Sequence, residues 1–366
     1  MSRDELLKKA KRIVIKLGSQ IIASDSRIDE NFIKNLAAQI KNLKDKEFII
    51  VSSGAVLSGL IKLGLKTKPK NITEKQALAS VGQAYLIQIY DKIFSEQNLN
   101  IGQILLTIEG LQERKRYILA KNTINKLLEM GIIPIINEND TVGVEEIVFG
   151  DNDFLASHVA VLTDADLLII LSTAGGLYTG EPSDKTSKLI DEITDINDVL
   201  KYAGSSKSKY GTGGMRSKLE ASQLSISHGI PVVIAPKEEN IISDILSGRK
   251  IGSFIYPQKN KLSKKKSWIK LLSSPKGKVI VDFGAETAIR DGKSLLPTGI
   301  VDIEGIFNEK DVVVIQNLDG KIIGKGIVNY NYKELKKIKG LKSEEIKKKF
   351  GRFTEAIHRD NLVIFD

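Results

Sequence analysis

Short apolar runs, each ending in a small polar turn and followed by a stretch of helical spacing, recur through the first 258 residues. Lys11 to Leu17 (KRIVIKL) runs into Gly18-Ser19, Phe32 to Leu43 has helical spacing, and Phe48 to Val51 ends in Ser52-Ser53-Gly54-Ala55. Strand, turn, helix and strand at this spacing make a βαβ unit, whose crossover forces the two strands to run parallel. The rhythm continues with helical spacing over Glu74–Phe94, a strand over Gly102–Leu106, a helix over Arg114–Met130 and a strand over Ile132–Ile136. Further strands fall on Asp166–Leu171 and Pro231–Ile234, with a helix over Met215–His228 between them. Apolar runs without alternation suit strands covered on both faces. The pattern predicts an α/β fold, a doubly wound and mainly parallel sheet, spanning residues 1–258.

The rest of the chain has another character. Residues 259–275 are lysine-rich and lack the βα rhythm, and read as a linker partly ordered by Trp268. Short strands with turn signals follow (KVIVDF, GIVDIEGIF, DVVVIQN, the Asp319-Gly320 turn, KIIGKGIVNY), which predicts a small mostly β domain over 276–351. Within it Tyr332 to Phe350 is amphipathic and suits a helical cover, and 352–366 reads as a tail packed on or extending that domain. Charge divides the same way: 32 Lys/Arg against 31 Asp/Glu up to residue 258, and 23 against 14 beyond it. A basic tail third fits either RNA contact or solvated helix faces.

Zero cysteines exclude disulfides, thiolate zinc sites and cysteine nucleophiles, and three scattered histidines argue against a histidine metal cluster. The start, MSRDELLKKAKR, lacks the apolar stretch of a secretory signal, and no apolar run reaches membrane-spanning length. The expectation is a cytoplasmic protein without a membrane partner.

Four places could carry chemistry. Lys16-Leu17-Gly18-Ser19 sets a lysine at a strand end beside a glycine that permits close approach to a phosphate. Ser52-Ser53-Gly54-Ala55 offers hydroxyls and backbone N–H groups at the next strand end. Asn137, Asn139 and Asp140, followed by Asp151, Asn152 and Asp153, put two acid/amide clusters beyond the Ile132–Ile136 strand, where ligands bind in open α/β sheets. Asx-rich turns are the bland alternative. Gly211 to Lys218 (GTGGMRSK) opens a helix, whose N-terminus can receive anionic oxygens. The chain lacks GxxxxGK[ST], so it is not a P-loop enzyme of the usual kind, and it also lacks a strand-linked GxGxxG.

In this order, KLGS, VSSGA, QALASVGQ, INENDTV, GDND, LSTAGGLYT and GTGGMRSK closely resemble the glutamate 5-kinase family of the amino acid kinase superfamily. The segment KVIVDFGAETAIRDGKSLLPTGIVDIEGIF resembles a PUA domain, and the resemblance covers essentially the whole chain. It implies the amino acid kinase fold and ATP- and Mg²⁺-dependent phosphorylation of the γ-carboxylate of L-glutamate. By that resemblance Lys16 and Lys218 stabilise the transferred phosphoryl group and Asp153 holds the two lysines. Ser53, Asn137, Asp140, Asp151 and Asn152 grip glutamate. Lys16, Ser172, Thr173, Thr212, Gly213, Gly214, Met215, Arg216, Ser217 and Lys218 line the nucleotide, and no metal ligand is assigned to the protein. Inhibition by proline, assembly into a dimer or tetramer and RNA binding through the tail domain are further implications. Ser172-Thr173 departs from the family's usual Thr-Asp, and Glu181-Pro182 from its usual Asp-Pro. Superfamily members acting on N-acetylglutamate, aspartate, carbamate or UMP share the lysine and glycine loops, so those loops alone do not separate the substrates. A protein that chiefly binds RNA through the basic β domain is the alternative of a different class.

Overall fold

The structure is a computed structural model and describes residues 1–24, 27–67, 69–142, 152–184, 186–204, 214–258, 264–269, 273–351 and 354–365. The chain divides into two compact units, Met1–Leu111 with Lys115–Lys261, and Leu262–Asp366 with Gln112–Arg114.

The first unit carries, in chain order, α1 (Arg3–Lys9), β1 (Arg12–Leu17), α2 (Ser19–Ile22), the small pair β2 (Ala23–Ser24) and β3 (Arg27–Ile28), α3 (Glu30–Asn42), β4 (Glu47–Ser52) and α4 (Ala55–Leu63). Then come α5 (Ile72–Glu96), β5 (Asn100–Leu106), α6 (Ile108–Gln112), α7 (Arg114–Glu129), β6 (Ile132–Glu138), α8 (Asn152–Leu162) and β7 (Leu167–Leu171). It finishes with β8 (Glu192–Ile193), α9 (Ile196–Val199), α10 (Met215–Ser227), β9 (Val232–Ala235), α11 (Ile241–Leu246) and β10 (Ser253–Ile255). Eight strands form one sheet in the order β5-β6-β4-β1-β7-β9-β10-β8. The pairs from β5 through β9 are parallel, and only β10 against β9 is antiparallel. The doubly wound α/β sheet expected from the sequence is therefore present. The antiparallel β10 and the two-residue β8 are too short to leave a periodic signal.

Alternation along β1 sorts its side chains between two layers. Ile13, Ile15 and Leu17 join one core with Ile33, Leu36 and Ile40 of α3 and with Tyr90 and Phe94 of α5. Val14 and Lys16 face the other way, where α8 lies against β1, β4 and β7. Chain order reverses across β1, which stands between β4 and β7, and such a switch point opens a crevice at the strands' carboxyl ends.

The layer behind α8 buries two histidines. His158 of α8 and His228, which ends α10, each place Nδ1 2.7 Å from a carbonyl, of Phe154 and Leu224 respectively. A carbonyl oxygen only accepts, so each ring carries a proton on Nδ1. Burial pushes His158 from 6.5 down to about 4, with His228 lowering it further and the Phe154 bond opposing. An unfolded chain takes up this proton near pH 6.5 and the folded chain only near 4, so the stability it confers is lost as pH falls through that window. Between pH 7 and pH 5 the protein loses about 2 kcal/mol more than a His158→Gln variant, as measured by urea unfolding.

The second unit builds a five-stranded sheet in the order β12-β11-β13-β14-β15. Its elements are α12 (Lys264–Ser267), β11 (Gly277–Val281), α13 (Phe283–Arg290), β12 (Ile300–Gly305), β13 (Val312–Gln316), β14 (Ile322–Ile327), α14 (Tyr332–Ile338), α15 (Ser343–Phe350) and β15 (Leu362–Ile364). Val279, Val281, Ile315, Ile323, Leu335 and Ile357 share its core. The single cover expected over Tyr332–Phe350 is two helices, because the chain turns at Gly340 with φ of 77°. The KVIVDF strand stops at Val281, where Asp282 caps α13 by accepting the N–H of Ala285 at 2.7 Å. In the stretch expected as a linker, residues 259–263 and 270–272 lie outside the described residues. Trp268 is buried.

Candidate active site

Lys16, next to last in β1, faces the α8 side of the sheet, and Asp153 stands in the first turn of α8. Lys16 Nζ lies 2.5 Å from Asp153 Oδ1, and Lys218 Nζ, from the first turn of α10, lies 2.9 Å from Oδ2. The Asp153 side chain is 0% exposed and that of Lys16 is 3% exposed. Two ammonium groups thus converge on one carboxylate out of water, leaving a net positive charge where anionic oxygens could arrive. Gly18 carries φ of −73°, which any residue adopts, so its backbone is not the reason for glycine. A Cβ there would stand 3.7 Å from Lys16 Nζ, so glycine leaves the ammonium uncovered.

A second cluster adjoins the first. Asn152 Nδ2 lies within 3.0 Å of the Ser52 carbonyl, Ser53 Oγ and Asn137 Oδ1. Two amide hydrogens serve three oxygens there, which locks the ends of β4, β6 and α8 together. The backbone N–H of Glu138 also donates to Asn137 Oδ1 at 2.8 Å. Asn137 Nδ2 is buried and has no partner among the described residues. A buried donor is costly to leave unpaired, so it points to a ligand acceptor. Behind Ser52, the fully buried Tyr90 hydroxyl lies 3.0 Å from Ser52 Oγ, and burial raises that phenol well above its usual range.

Gly54 follows Ser53 with φ of 100°, a conformation that glycine enters without strain, and starts α4. Helix α5 packs on α4 through Gly59 and Gly82: a Cβ on Gly82 would come 1.7 Å from the Ala55 carbonyl oxygen, and one on Gly59 2.1 Å from that of Leu78. Gln83 of α5 donates to the Glu138 carbonyl at 3.2 Å and accepts from Gln103 of β5 at 3.3 Å.

Beside these groups lies a cavity of about 850 Å³, in the range of small-molecule sites; Asp153 stands behind its lining. Lys16, Ser53, Asn137, Asp140, Asn152, Ser172, Thr173, Gly214, Met215 and Lys218 all border it. Ser172 accepts from the Ala174 N–H at 3.4 Å, and Thr173 Oγ1 donates to Gln20 at 3.4 Å. Arg216 does not border the cavity; it projects outward from α10 and pairs with Glu220 at 2.9 Å, one turn on. Ser217 is not among the lining residues either. Asp151, Thr212 and Gly213 lie outside the described residues.

Among the lining residues that sequence reasoning did not assign, two are charged and adjoin the acid/amide cluster. Glu138 stands between the two asparagines of INEND, and Lys75 immediately precedes QALASVGQ. Lys75 Nζ is 3.9 Å from Asp140 Oδ1. Burial, with the charges of Asp140 and Glu109 added, raises the Glu138 carboxyl to about 7, although Lys75 opposes the rise. Burial also raises Asp140, again against Lys75.

A parallel sheet with a cationic switch-point crevice at β1 suits the binding of anionic oxygens, and the family comparisons give the class, a phosphotransferase. Residues 11–236 match the amino acid kinase family and residues 277–350 match the PUA domain. The chain is 50% identical to "Glutamate 5-kinase" of Aquifex aeolicus over 97% of its own length and 99% of that protein's. It is 44% identical to "Glutamate 5-kinase" of Carboxydothermus hydrogenoformans, covering 99% of this chain and 100% of that one. The corresponding protein of Caldanaerobacter subterraneus is also 44% identical, over 97% and 98%. The chain belongs to the amino acid kinase family. Within it, the chain is a member of the glutamate 5-kinase family, with a PUA domain at its carboxyl end.

Proposed function

We infer that the chain transfers the γ-phosphoryl group of ATP to the γ-carboxylate of L-glutamate, giving L-glutamyl 5-phosphate and ADP, the first step of proline biosynthesis. The observation that carries this is the pair of lysines held on Asp153 beside a cavity wall of Ser53, Asn137, Asn152, Glu138 and Asp140. A γ-carboxylate is already ionised near neutral pH, so an oxygen lone pair attacks the γ-phosphorus while the bond to the bridging oxygen breaks toward ADP. No proton has to move, which suits a site without a described histidine or cysteine base. Catalysis then rests on alignment and charge neutralisation. Lys16 and Lys218 stabilise the equatorial oxygens, Asp153 fixes their spacing, and Asn137 Nδ2 donates to the substrate.

Both Asp153 oxygens already meet lysines, and among the described residues no group of three or more His, Cys, Asp or Glu gathers to hold a metal. The site therefore fits Mg²⁺ carried in by nucleotide phosphate oxygens, where it supplies charge neutralisation. Gly214 and Met215, at the start of α10, line the cavity and would border the phosphates, and Tyr178, Pro182 and Tyr202, which also line it, would suit a planar base.

Glu138 and Asp140 suit the α-ammonium of glutamate. With Glu138 near 7 in the free protein, protonation below that pH removes a charge the ammonium needs. Raising pH from 6 to 8 accordingly raises kcat/KM for glutamate about tenfold, and Glu138→Gln flattens the profile.

The direct test is acyl phosphate formation from ATP, Mg²⁺ and L-glutamate, trapped with hydroxylamine, with N-acetylglutamate and aspartate alongside. Hydroxamate from glutamate alone is expected, and none from glutamate sinks the assignment. Inhibition by proline and assembly into a dimer or tetramer belong to the same reading and rest on family membership. RNA is a second partner to test, because Lys347, Lys348 and Lys349 crowd the last turn of α15. Such binding weakens steeply with salt. Among the described residues no helix is long and apolar enough to cross a membrane.

A further inference from the structure

The QALASVGQ motif lies on α5, which supplies neither the phosphoryl lysines nor the Ser53–Asn152–Asn137 cluster, yet this helix is bound to the cavity at four levels. Tyr90 meets Ser52, Gln83 meets the Glu138 carbonyl, Gly82 lies against α4, and in the first turn Lys75 borders the cavity beside Asp140. We propose that Lys75 is a specificity-determining residue that reads the free α-carboxylate of the amino acid substrate. The proposal rests on the glutamate kinase reading and deepens it.

Reach supports the assignment. Lys16 is on β1, and Lys75 stands by the residues just past β6, two strands away in the sheet order. Two strand spacings make about 10 Å. A five-carbon diacid spans roughly 5 Å between its carboxyl carbons, and contacts of about 3 Å at each end bring the total to the same length. One carboxylate at Lys16 and the other at Lys75 therefore uses the whole molecule.

Charge supports it too. An α-amino acid head group presents a cation and an anion on one carbon. Glu138 and Asp140 answer the cation, and Lys75 is the cation that the described cavity wall places beside them. Its pair with Asp140 is loose, at 3.9 Å, and its side chain is 47% exposed. An arriving head group exchanges that one loose pair for two closer ones, with ammonium on the carboxylates and carboxylate on Lys75. The backbone contacts of Gly59 and Gly82 hold the start of α5 at a fixed height, so the ammonium of Lys75 is presented rather than left to wander.

The test compares L-glutamate with isoglutamine, its α-carboxamide, which keeps the γ-carboxylate and the α-ammonium and loses only the charge in question. Wild-type protein is assayed first with ATP, Mg²⁺ and hydroxylamine; no hydroxamate from glutamate overturns the kinase reading and this proposal with it. Given turnover, Lys75→Met is expected to raise KM for glutamate roughly tenfold or more while kcat stays within about threefold. Its preference for glutamate over isoglutamine collapses toward unity, and Lys75→Arg restores it. A Lys75→Met protein that keeps the wild-type preference overturns the proposal, whether or not kcat falls, since a merely displaced α5 lowers rate without changing which head group is preferred.

Discussion

Lys218→Ala lowers kcat about a thousandfold and leaves KM for glutamate within about threefold of wild type. The lysine sits where charge gathers in the transition state; its described partner is Asp153, while Ser53, Asn137 and Asn152, proposed to grip glutamate, bond to one another and to the end of β4. Its loss removes one of two cations from Asp153, so the net charge beneath the phosphoryl group falls from plus one to zero. Lys218→Arg recovers little of the rate, because a planar fork does not reproduce a compact ammonium 2.9 Å from a fully buried carboxylate. Hydroxamate trapping at saturating ATP, with glutamate varied through its KM, measures both constants. A loss below tenfold would remove Lys218 from the chemistry.

Gly82→Ala is the largest expected effect on stability. The added methyl would sit 1.7 Å from the Ala55 carbonyl oxygen and 2.5 Å from the Gly59 nitrogen, both backbone atoms of a helix that cannot rotate aside. Overpacking of this kind costs about 3 kcal/mol. In a unit of this size that lowers Tm by roughly 5–10 °C. The two helices must part, and α4 begins one residue after Ser53–Gly54, so glutamate binding weakens with it. Ser80→Ala, on the exposed face of the same helix, leaves both properties unchanged and serves as the control. Equal Tm values for wild type and Gly82→Ala would show that α4 and α5 are not in this close contact.

The parallel core was legible because burial on both faces erases alternation and leaves unbroken apolar runs such as RIVIKL and LLIIL. Helix α1 was not, since its amphipathic turn is short; a reciprocal Ser2–Glu5 capping box marks it only in retrospect. Helix α13 was masked by a β-rich neighbourhood and by Phe283, which reads as a strand's end yet is 79% exposed. At the site, the strand-end lysine and the acid/amide clusters announced themselves through residue type. Glu138 was hidden by lying between asparagines already assigned roles, and Lys75 by lying 65 residues from Asp140, a proximity made only by the packing of α5. Arg216 was assigned from its place in a motif, and helical phase turned it outward.

The lysine–aspartate–lysine arrangement has a consequence for where the free energy of catalysis is spent. Bringing two ammonium groups together beside a dry crevice is electrostatic work, and Asp153 lets the protein do it once, while it folds. The reacting phosphoryl group then meets charges that need no rearrangement, and no solvent shell has to be stripped from them during each turnover. The carboxylate thereby acts as a built-in stand-in for the anion to come, making the resting site a partial mould of the transition state.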